Sequence, residues 1–306
     1  MSQFKDNSEH IPVLLQETID GLNLKLGQTV VDATLGRGGH TCEISKKIGT
    51  SGWLIGLDAD EQNVNDVKDF LGALECKTTL KIGNFRDIKN TLEIVGTKPG
   101  EVDRFLFDLG LNSVQLESSG RGFSFQINEP LVMTLERNPG ENVLTARVIV
   151  NEWSEESLEA ILRGFGGEQF SGRIARVIVE ERKHKKILTT FDLVEIIEKA
   201  VPEFYKHRKI HFATKTFQAL RIAVNDEFGS VVIALGSAWD YLAPSGRIAV
   251  ITFHDGEDRI VKKKFIDFKK RGGVIITKKV IAPTQTEVKK NPRARSAKLR
   301  IIEKVS

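Results

Sequence analysis

Cysteines and long apolar runs are scarce in this chain of 306 residues, and each scarcity excludes a class of protein. The two cysteines, Cys42 and Cys76, belong to no CxxC or Cys/His cluster, so we expect neither a disulfide framework nor a metal site. No stretch reaches the ~18 consecutive apolar residues of a membrane span. The first residues, MSQFKDNSEH, also lack the apolar core of a secretion signal. We therefore expect a cytoplasmic, globular protein without a membrane partner.

Positive charge is concentrated at one end of the chain. Residues 259–306 contain 16 Lys and Arg against three Asp and Glu, whereas residues 1–258 are net acidic. Such a run is either a solvated surface or a contact for a polyanion. We expect Arg293 and Arg295, in the loop NPRARS, to contact phosphates, and Lys298 and Arg300 to protect an exposed sheet edge.

Apolar runs and amphipathic segments alternate over the first 110 residues. Strands are predicted at Thr29–Asp32, Trp53–Asp58, 79–82 and Val102–Asp108, with helices over 42–48 and 61–74. This alternation predicts an α/β fold with a parallel, Rossmann-like sheet. Ligands of such sheets bind at the carboxyl ends of the strands.

The alternation stops after Gly110. Amphipathic helices are predicted over residues 154–165, 173–182 and 189–201. The α/β pattern resumes with a helix over 214–241, a strand over 247–253, and an antiparallel edge pair over 274–281 and 297–304. We predict a core of residues 1–110 and 213–306, interrupted by a helical domain of residues 111–212 that recognises the substrate.

A glycine-rich loop, DATLGRGGH, joins the first strand to its helix. Glycines let a backbone approach a ligand closely, and the helix start offers free N–H groups. Asp58 ends the next strand about 20 residues later, the spacing at which an acid binds ribose hydroxyls. The loop lacks the dinucleotide pattern GxGxxG, and the acid at Asp32 favours S-adenosylmethionine over a dinucleotide. A tight turn in an unrelated α/β protein remains an alternative.

Nine motifs, in order from His10 to Arg300, resemble those of one bacterial family, the methyltransferases that modify a decoding-centre cytidine of small-subunit (16S) ribosomal RNA at N4. The motifs are HIPVLLQE, DATLGRGGH, GLDAD, DLGLNSVQL, RGFSF, RIARVIVEER, KTFQALRIAVNDE, FHDGEDRIVK and NPRARSAKLR. The resemblance implies a class I methyltransferase sheet with an inserted helical domain, S-adenosylmethionine as cofactor, and ribosomal RNA or the small ribosomal subunit as partner. The oligomeric state stays open, with a homodimer as one option.

The resemblance also implies roles for individual residues. The implied cofactor contacts are Gly38, Gly39, His40, Asp58, Phe85, Asp108 and Gln115. We expect Asp108, helped by Asn225 or His254, to hydrogen-bond the target amine as the catalytic group. We expect Arg121, Arg293 and Arg295 to bind the RNA.

Several segments on the substrate side depart from the family pattern. Asn112-Ser113-Val114 replaces the serine pair and proline that usually follow the strand-four DLG motif, and His254 is followed by Asp255-Gly256 in place of Ser-Leu. These departures leave alternatives open. One is a relative that binds S-adenosylmethionine or RNA without methylating this cytidine, and another is a methyltransferase of a different nucleic acid.

Overall fold

A computed structural model describes residues 12–69, 72, 74–110, 119–135, 140 and 143–305. The chain divides into two compact units, a core unit of residues 1–110 and 229–306 and an inserted unit of residues 111–228. Within the described residues, no helix combines the length and apolarity needed to cross a bilayer.

The elements follow one another as the alternation predicts. In chain order they are α1 (Leu15–Leu22), β1 (Thr29–Asp32), α2 (Gly39–Ile48), β2 (Trp53–Asp58), α3 (Glu61–Lys68), β3 (Lys77–Ile82), α4 (Ile88–Ile94), β4 (Val102–Asp108), α5 (Ala146–Glu152), α6 (Glu155–Gly164), α7 (Ser171–Glu181), α8 (Thr190–Ala200), α9 (Glu203–Lys206), α10 (Thr214–Asn225), α11 (Glu227–Tyr241), β5 (Leu242–Thr252), α12 (Asp255–Lys270), β6 (Gly273–Ile275), α13 (Gln285–Lys290) and β7 (Lys298–Lys304).

The seven strands form one sheet in the order β3-β2-β1-β4-β5-β7-β6. Neighbouring strands from β3 to β5 run parallel, and β7 runs antiparallel to both β5 and β6. The α/β fold class is therefore confirmed. The two β-rich runs near the end of the chain do pair in antiparallel fashion. β6 covers only Gly273–Ile275, whereas the predicted run spans residues 274–281.

Both faces of the sheet are covered, because successive strand residues point to opposite sides. Phe105 and Phe107 belong to a cluster with Trp239 of α11, and Leu106, between them, belongs to a second cluster with Ile48 of α2. All five side chains are almost completely buried. This double coverage explains why β4 is apolar without a break from Phe105 to Phe107, as is typical of parallel sheets.

The inserted unit has its own apolar core. It is built from α5 to α8 and α10, and from the segment that contains Leu131 and Met133. Helix α8 begins with a capping box in which Thr189 and Asp192 satisfy each other's backbone N–H groups, which confirms the predicted cap.

The second domain boundary differs from the predicted one. We expected a single helix over 214–241 in the core, but the chain breaks at Asp226, whose φ of 44° is left-handed. Phe217 and Leu220 of α10 are buried in the helical core of the inserted unit. The core unit consequently resumes at Gly229 and not at residue 213.

Candidate functional site

Three strands that are neighbours in the sheet end in aspartate. Asp32 ends β1, Asp58 ends β2 and Asp108 ends β4, and β1 lies between the other two. Since these strands run parallel, the three carboxyl groups lie along one edge of the sheet. The glycine-rich loop begins at the same edge, as the sequence predicts.

Asp32 holds the loop from inside. Its carboxyl group is buried and accepts hydrogen bonds from Thr41 Oγ1 at 2.7 Å and from the Thr34 N–H at 3.2 Å. Burial raises the pKa of Asp32 to about 6, although the hydrogen bonds from Thr41 and Thr34 oppose this shift. Asp32 therefore fixes the start of α2 relative to β1.

Asp58 holds the loop from the other side. One carboxyl oxygen accepts from the Gly36 N–H at 2.8 Å, and the other accepts from the Asp60 N–H at 2.8 Å. Burial raises the pKa of Asp58 against these backbone hydrogen bonds. In this arrangement Asp58 shapes the glycine loop, and its binding of ribose stays a prediction.

Gly38 and Gly39 are adjacent in the loop, and a different structural constraint requires glycine at each position. Gly38 precedes α2 with a φ of 77°, a left-handed conformation that side chains rarely adopt, and as a glycine it offers the helix N-terminus no side-chain cap. Gly39 lies so close to the ring of Pro12 that any side chain there would overlap it. Gly38 therefore sets the backbone path, whereas Gly39 is required by packing within the protein.

Of the three carboxyl groups at this edge, that of Asp108 has the fewest hydrogen bonds to offset its burial. Its backbone N–H donates to Thr34 Oγ1 at 2.6 Å, and its Oδ2 lies 3.8 Å from Nδ1 of the buried His40. Its Oδ1 is buried without a hydrogen-bond partner among the residues that the structure describes. Burial, followed by the charge of Asp32, raises the pKa of Asp108 from 3.8 to about 7, and a hydrogen bond from the Gly110 backbone opposes the shift.

A buried carboxyl group with a raised pKa and an oxygen without a hydrogen-bond partner favours a cation or a hydrogen-bond donor as its ligand. Either ligand would stabilise the charged form of the carboxyl group, which burial destabilises. Perturbed carboxyl pKa values at the ligand-binding edge of a sheet are also typical of functional sites. The edge is therefore suited to a cationic ligand.

Phe85 and Gln115 complete the expected cofactor contacts. Phe85 opens a short 3₁₀ turn directly after β3 and packs edge-on against Phe107, with 6.3 Å between ring centroids. Its half-buried ring is thus positioned by the core, and contact with adenine stays a prediction. Gln115 lies outside the described residues.

His254 follows β5 at the same edge and begins α12. Its Nδ1 accepts from the Glu257 N–H at 3.3 Å, while the Glu257 carboxylate accepts from the N–H groups of Phe253 and His254. This capping box gives the imidazole a structural function. Gly110 lies close enough to Phe253 that a Cβ there would contact the ring at 2.7 Å, so the segments after β4 and β5 pack tightly together.

The structure brings Asn225 and Arg121 together in the inserted unit, on one backbone segment. Asn225 accepts from the Leu135 N–H at 2.9 Å and donates to the Met133 carbonyl at 2.8 Å. Arg121 donates to the carbonyls of Thr134 and Leu135. Met133 has a left-handed φ of 56°, so these two side chains stabilise an unfavourable turn. Their expected contacts with the amine and the RNA remain predictions.

The basic segment near the end of the chain exposes two of the expected RNA contacts. Arg293 and Arg295 lie in the short 3₁₀ helix Pro292–Ser296, and both side chains are exposed. Ala294 between them is buried, which turns the two arginines outward.

The expectation that Lys298 and Arg300 protect a sheet edge is wrong. β7 lies between β5 and β6, so it is not an edge strand. Lys298 pairs with Asp255 at 2.5 Å, and Arg300 forms two bonds, of 2.6 and 2.9 Å, with Asp258. Both cations therefore attach β7 to α12.

Comparison with known proteins decides the family. A family model described as the MraW methylase family matches residues 7–305. The chain belongs to this methylase family. Two curated relatives are each named ribosomal RNA small subunit methyltransferase H. The one from Halothermothrix orenii is 42% identical and aligns over 97% of this chain and 99% of its own length. The one from Brevibacillus brevis is 41% identical over 97% and 98%.

A solved structure of an rRNA methylase from Streptococcus thermophilus also aligns with this methylase. It covers 97% of this chain and 100% of the other at 14% identity, with a TM-score of 0.43.

The residues at the edge fit S-adenosylmethionine, the methyl donor of this methylase. The buried Oδ1 of Asp108, which has no hydrogen-bond partner among the described residues, suits the cationic part of the donor. The N-terminus of α2, where Gly38 offers no capping side chain, suits its carboxylate. That Gly38, His40, Asp58, Phe85 and Asp108 would hold it stays a prediction.

Proposed function

We propose that this methylase transfers a methyl group to the exocyclic N4 amine of a cytidine near the decoding centre of small-subunit (16S) ribosomal RNA. The names of the curated relatives support small-subunit ribosomal RNA as the substrate. The nine motifs of the family resemblance support the cytidine, its N4 atom and its location.

The observation that carries the proposal is the carboxyl group of Asp108. A cytosine amine is a poor nucleophile because its lone pair is delocalised into the ring. As a carboxylate, Asp108 accepts a hydrogen bond from the amine and raises the electron density on N4. The nitrogen gains a methyl group and must lose one proton, and a carboxylate whose pKa is about 7 can take that proton and release it to water.

S-adenosylmethionine, when bound, supplies an electrophilic methyl group. The chain's own residues then have to bring the amine and the donor into line. Asp32 and Asp58 hold the glycine loop in place from its two sides. The loop is thus shaped before either ligand arrives, which lowers the cost of ordering it on binding.

The positions of the two cysteines support transfer to nitrogen over transfer to carbon five. Methylation at carbon five requires a nucleophilic thiolate. Burial raises the pKa of Cys42, which disfavours its thiolate. Cys76 directly precedes β3 and so lies at the opposite, amino edge of the sheet.

The experiment uses the purified full chain, S-adenosylmethionine with a deuterated methyl group, and small ribosomal subunits from cells that lack this gene. We expect labelled N4-methylcytidine after digestion to nucleosides, located by mass spectrometry to one fragment near the decoding centre. Asp108→Asn should lower the rate at least about 100-fold, the lower range for a general base. The exposed residue Asp267 on α12 provides the matched control, Asp267→Asn, with an unchanged rate.

Two results would contradict the proposal. Label on another base or on ribose would assign a different target. Binding of both ligands without transfer of label would indicate a relative that binds without catalysis.

A further inference from the structure

Two exposed arginines, the exposed ring of Phe204 and the half-buried ring of Phe170 form a surface at one end of α7 in the inserted unit, over the ring of Tyr205, which is only 4% exposed. We call it the arginine–aromatic surface, and its members are Phe170, Arg173, Phe204, Tyr205 and Arg208. Phe170 precedes α7, Arg173 lies in its first turn, and the other three lie on or just after α9. Phe204 is 61% exposed, which is unusual for a phenylalanine.

Arginines and rings alternate across this surface. The Arg173 guanidinium lies 6.0 Å from the Phe170 ring centroid, and Phe170 packs edge-on against Phe204 and Tyr205. The Arg208 guanidinium lies 5.8 Å from the ring of Phe204 and 4.9 Å from that of Tyr205. Guanidinium groups held over rings keep their N–H donors available at the rim.

A buried carboxylate fixes the base of the surface. Glu168 is 1% exposed and accepts the Tyr205 hydroxyl hydrogen bond, with its two oxygens 2.9 and 3.1 Å away. Burial, together with this hydrogen bond, raises the pKa of Tyr205, so the hydroxyl stays a donor. Glu168 also accepts from the Phe170 N–H at 2.9 Å. Tyr205 and the Phe170 backbone are therefore held in place before any ligand binds.

The exposed charged groups of the surface are cationic, above the buried carboxylate of Glu168. Among the described residues, no carboxylate lies within 4.0 Å of Arg173, Arg208 or the adjacent Lys209. The nearby acid Glu203 is already paired with Lys206 and His207. Over the whole inserted unit, 16 Lys and Arg face 17 Asp and Glu, so this positive charge is a local feature.

We propose that the arginine–aromatic surface binds a single-stranded stretch of the RNA substrate, with a base stacked on Phe204 and phosphates paired with Arg173 and Arg208. The inference rests on the proposed function and adds a docking site remote in sequence from the methyl-transfer residues. An exposed ring suits an unpaired base, because bases within a duplex offer no free face. Free guanidinium groups suit phosphate oxygens.

The first test places a fluorescent reporter at the ring. Phe204→Trp should show quenched tryptophan emission when a short single-stranded oligouridylate is added, because a base stacks on the indole. Phe191→Trp is the matched control, since Phe191 is also exposed, at 43%, and lies on α8 of the same unit. Its emission should not change. Equal responses of the two variants would overturn the stacking contact.

The second test removes the cations one at a time. Arg173→Gln and Arg208→Gln should each weaken oligouridylate binding roughly three- to tenfold and lower the slope of log affinity against log salt by about 0.7. Lys199→Gln removes an exposed cation that is already paired with Glu181, and it should leave both quantities unchanged. Matching thermal unfolding curves show that the variants are folded.

The outcomes separate this inference from the proposed function. If the wild-type protein methylates ribosomal RNA and all variants bind oligouridylate equally, the docking site is wrong and the proposed function stands. If the wild-type protein neither binds RNA nor methylates it, the proposed function fails. If polyglutamate competes with oligouridylate at equal concentration and quenches Phe204→Trp equally, the surface binds acidic protein segments and the RNA assignment is overturned.

Discussion

Asp108 combines a stability cost with the binding function that we propose for it. Its folded pKa of about 7 lies well above the ordinary 3.8, so the folded protein holds the proton more tightly than the unfolded chain does. The contribution to stability is fully present below pH ~4 and is lost as the pH rises through ~7. A cation bound beside Asp108 stabilises the carboxylate and so lowers its pKa. Ligand binding should therefore release a proton at neutral pH.

Asp108→Asn should therefore flatten the pH dependence of stability. Between pH 5 and pH 8 the wild-type protein without ligand should lose about 2–3 kcal/mol more unfolding free energy than the variant. Urea unfolding at a series of pH values measures the difference. The exposed-site variant Asp267→Asn should follow the wild type, and parallel curves for wild type and Asp108→Asn would contradict the pKa assignment.

Substitution of Gly38 and of Gly236 by alanine should change the stability of the protein in opposite directions. Gly38→Ala places a side chain at a φ of 77° and should destabilise the protein by about 1–2 kcal/mol and weaken S-adenosylmethionine binding. Gly236 lies within α11, where nothing is within 4 Å of an added Cβ, so Gly236→Ala should stabilise by about 0.5–1 kcal/mol. Calorimetric titration and urea unfolding of both variants check these signs. Unchanged cofactor affinity in Gly38→Ala would remove the loop from the site.

Among the helices and strands, the connection between β7 and α12 depends on a charged pair. Arg300 and Asp258 are only 13% and 14% exposed and share two hydrogen bonds. A double-mutant cycle with Arg300→Gln and Asp258→Asn should give a coupling energy of about 1–3 kcal/mol. The exposed pair Lys199–Glu181 should give less than about 1 kcal/mol in the same cycle, because water screens it. Equal coupling energies would show that burial does not strengthen the inner pair.

Local patterns predicted most elements because their causes are local. The bounds of β4 and the cap at Thr189 follow from strand periodicity and from cap chemistry. The break at Asp226 has no such signal, since residues 214–241 read as one helix. It arises because Phe217 and Leu220 pack into a different core from Trp239, a long-range preference that overrides helix propensity.

Local patterns also predicted one part of the candidate site and missed another. A parallel sheet brings the ends of β1, β2 and β4 to one edge, so the meeting of Asp32, Asp58 and Asp108 was predictable. The partners of Asn225 were not, because its side chain binds the backbone of Met133 and Leu135 through tertiary contacts. No spacing in the sequence encodes a contact between residues about 90 positions apart.

At the scale of the whole molecule, we expect the basic segment near the end of the chain to make RNA binding sensitive to salt. The double variant Arg293→Gln, Arg295→Gln should weaken RNA binding and lower the log–log salt slope by about one unit or less per lost contact. Its affinity for S-adenosylmethionine should not change. Binding isotherms at several salt concentrations measure this. A slope and an affinity equal to those of the wild type would leave the two arginines as surface charge only.

The insertion also has a consequence for the order of synthesis. β4 ends at Asp108 and its neighbour β5 begins at Leu242, so the ribosome makes the entire inserted unit between two strands that must pair. At ~5–20 residues per second this interval lasts on the order of ten seconds. During that time the far side of β4 has no partner, while the inserted unit can already assemble its own core. The nascent chain is therefore most exposed to strand pairing with other chains in this interval, before β5 emerges.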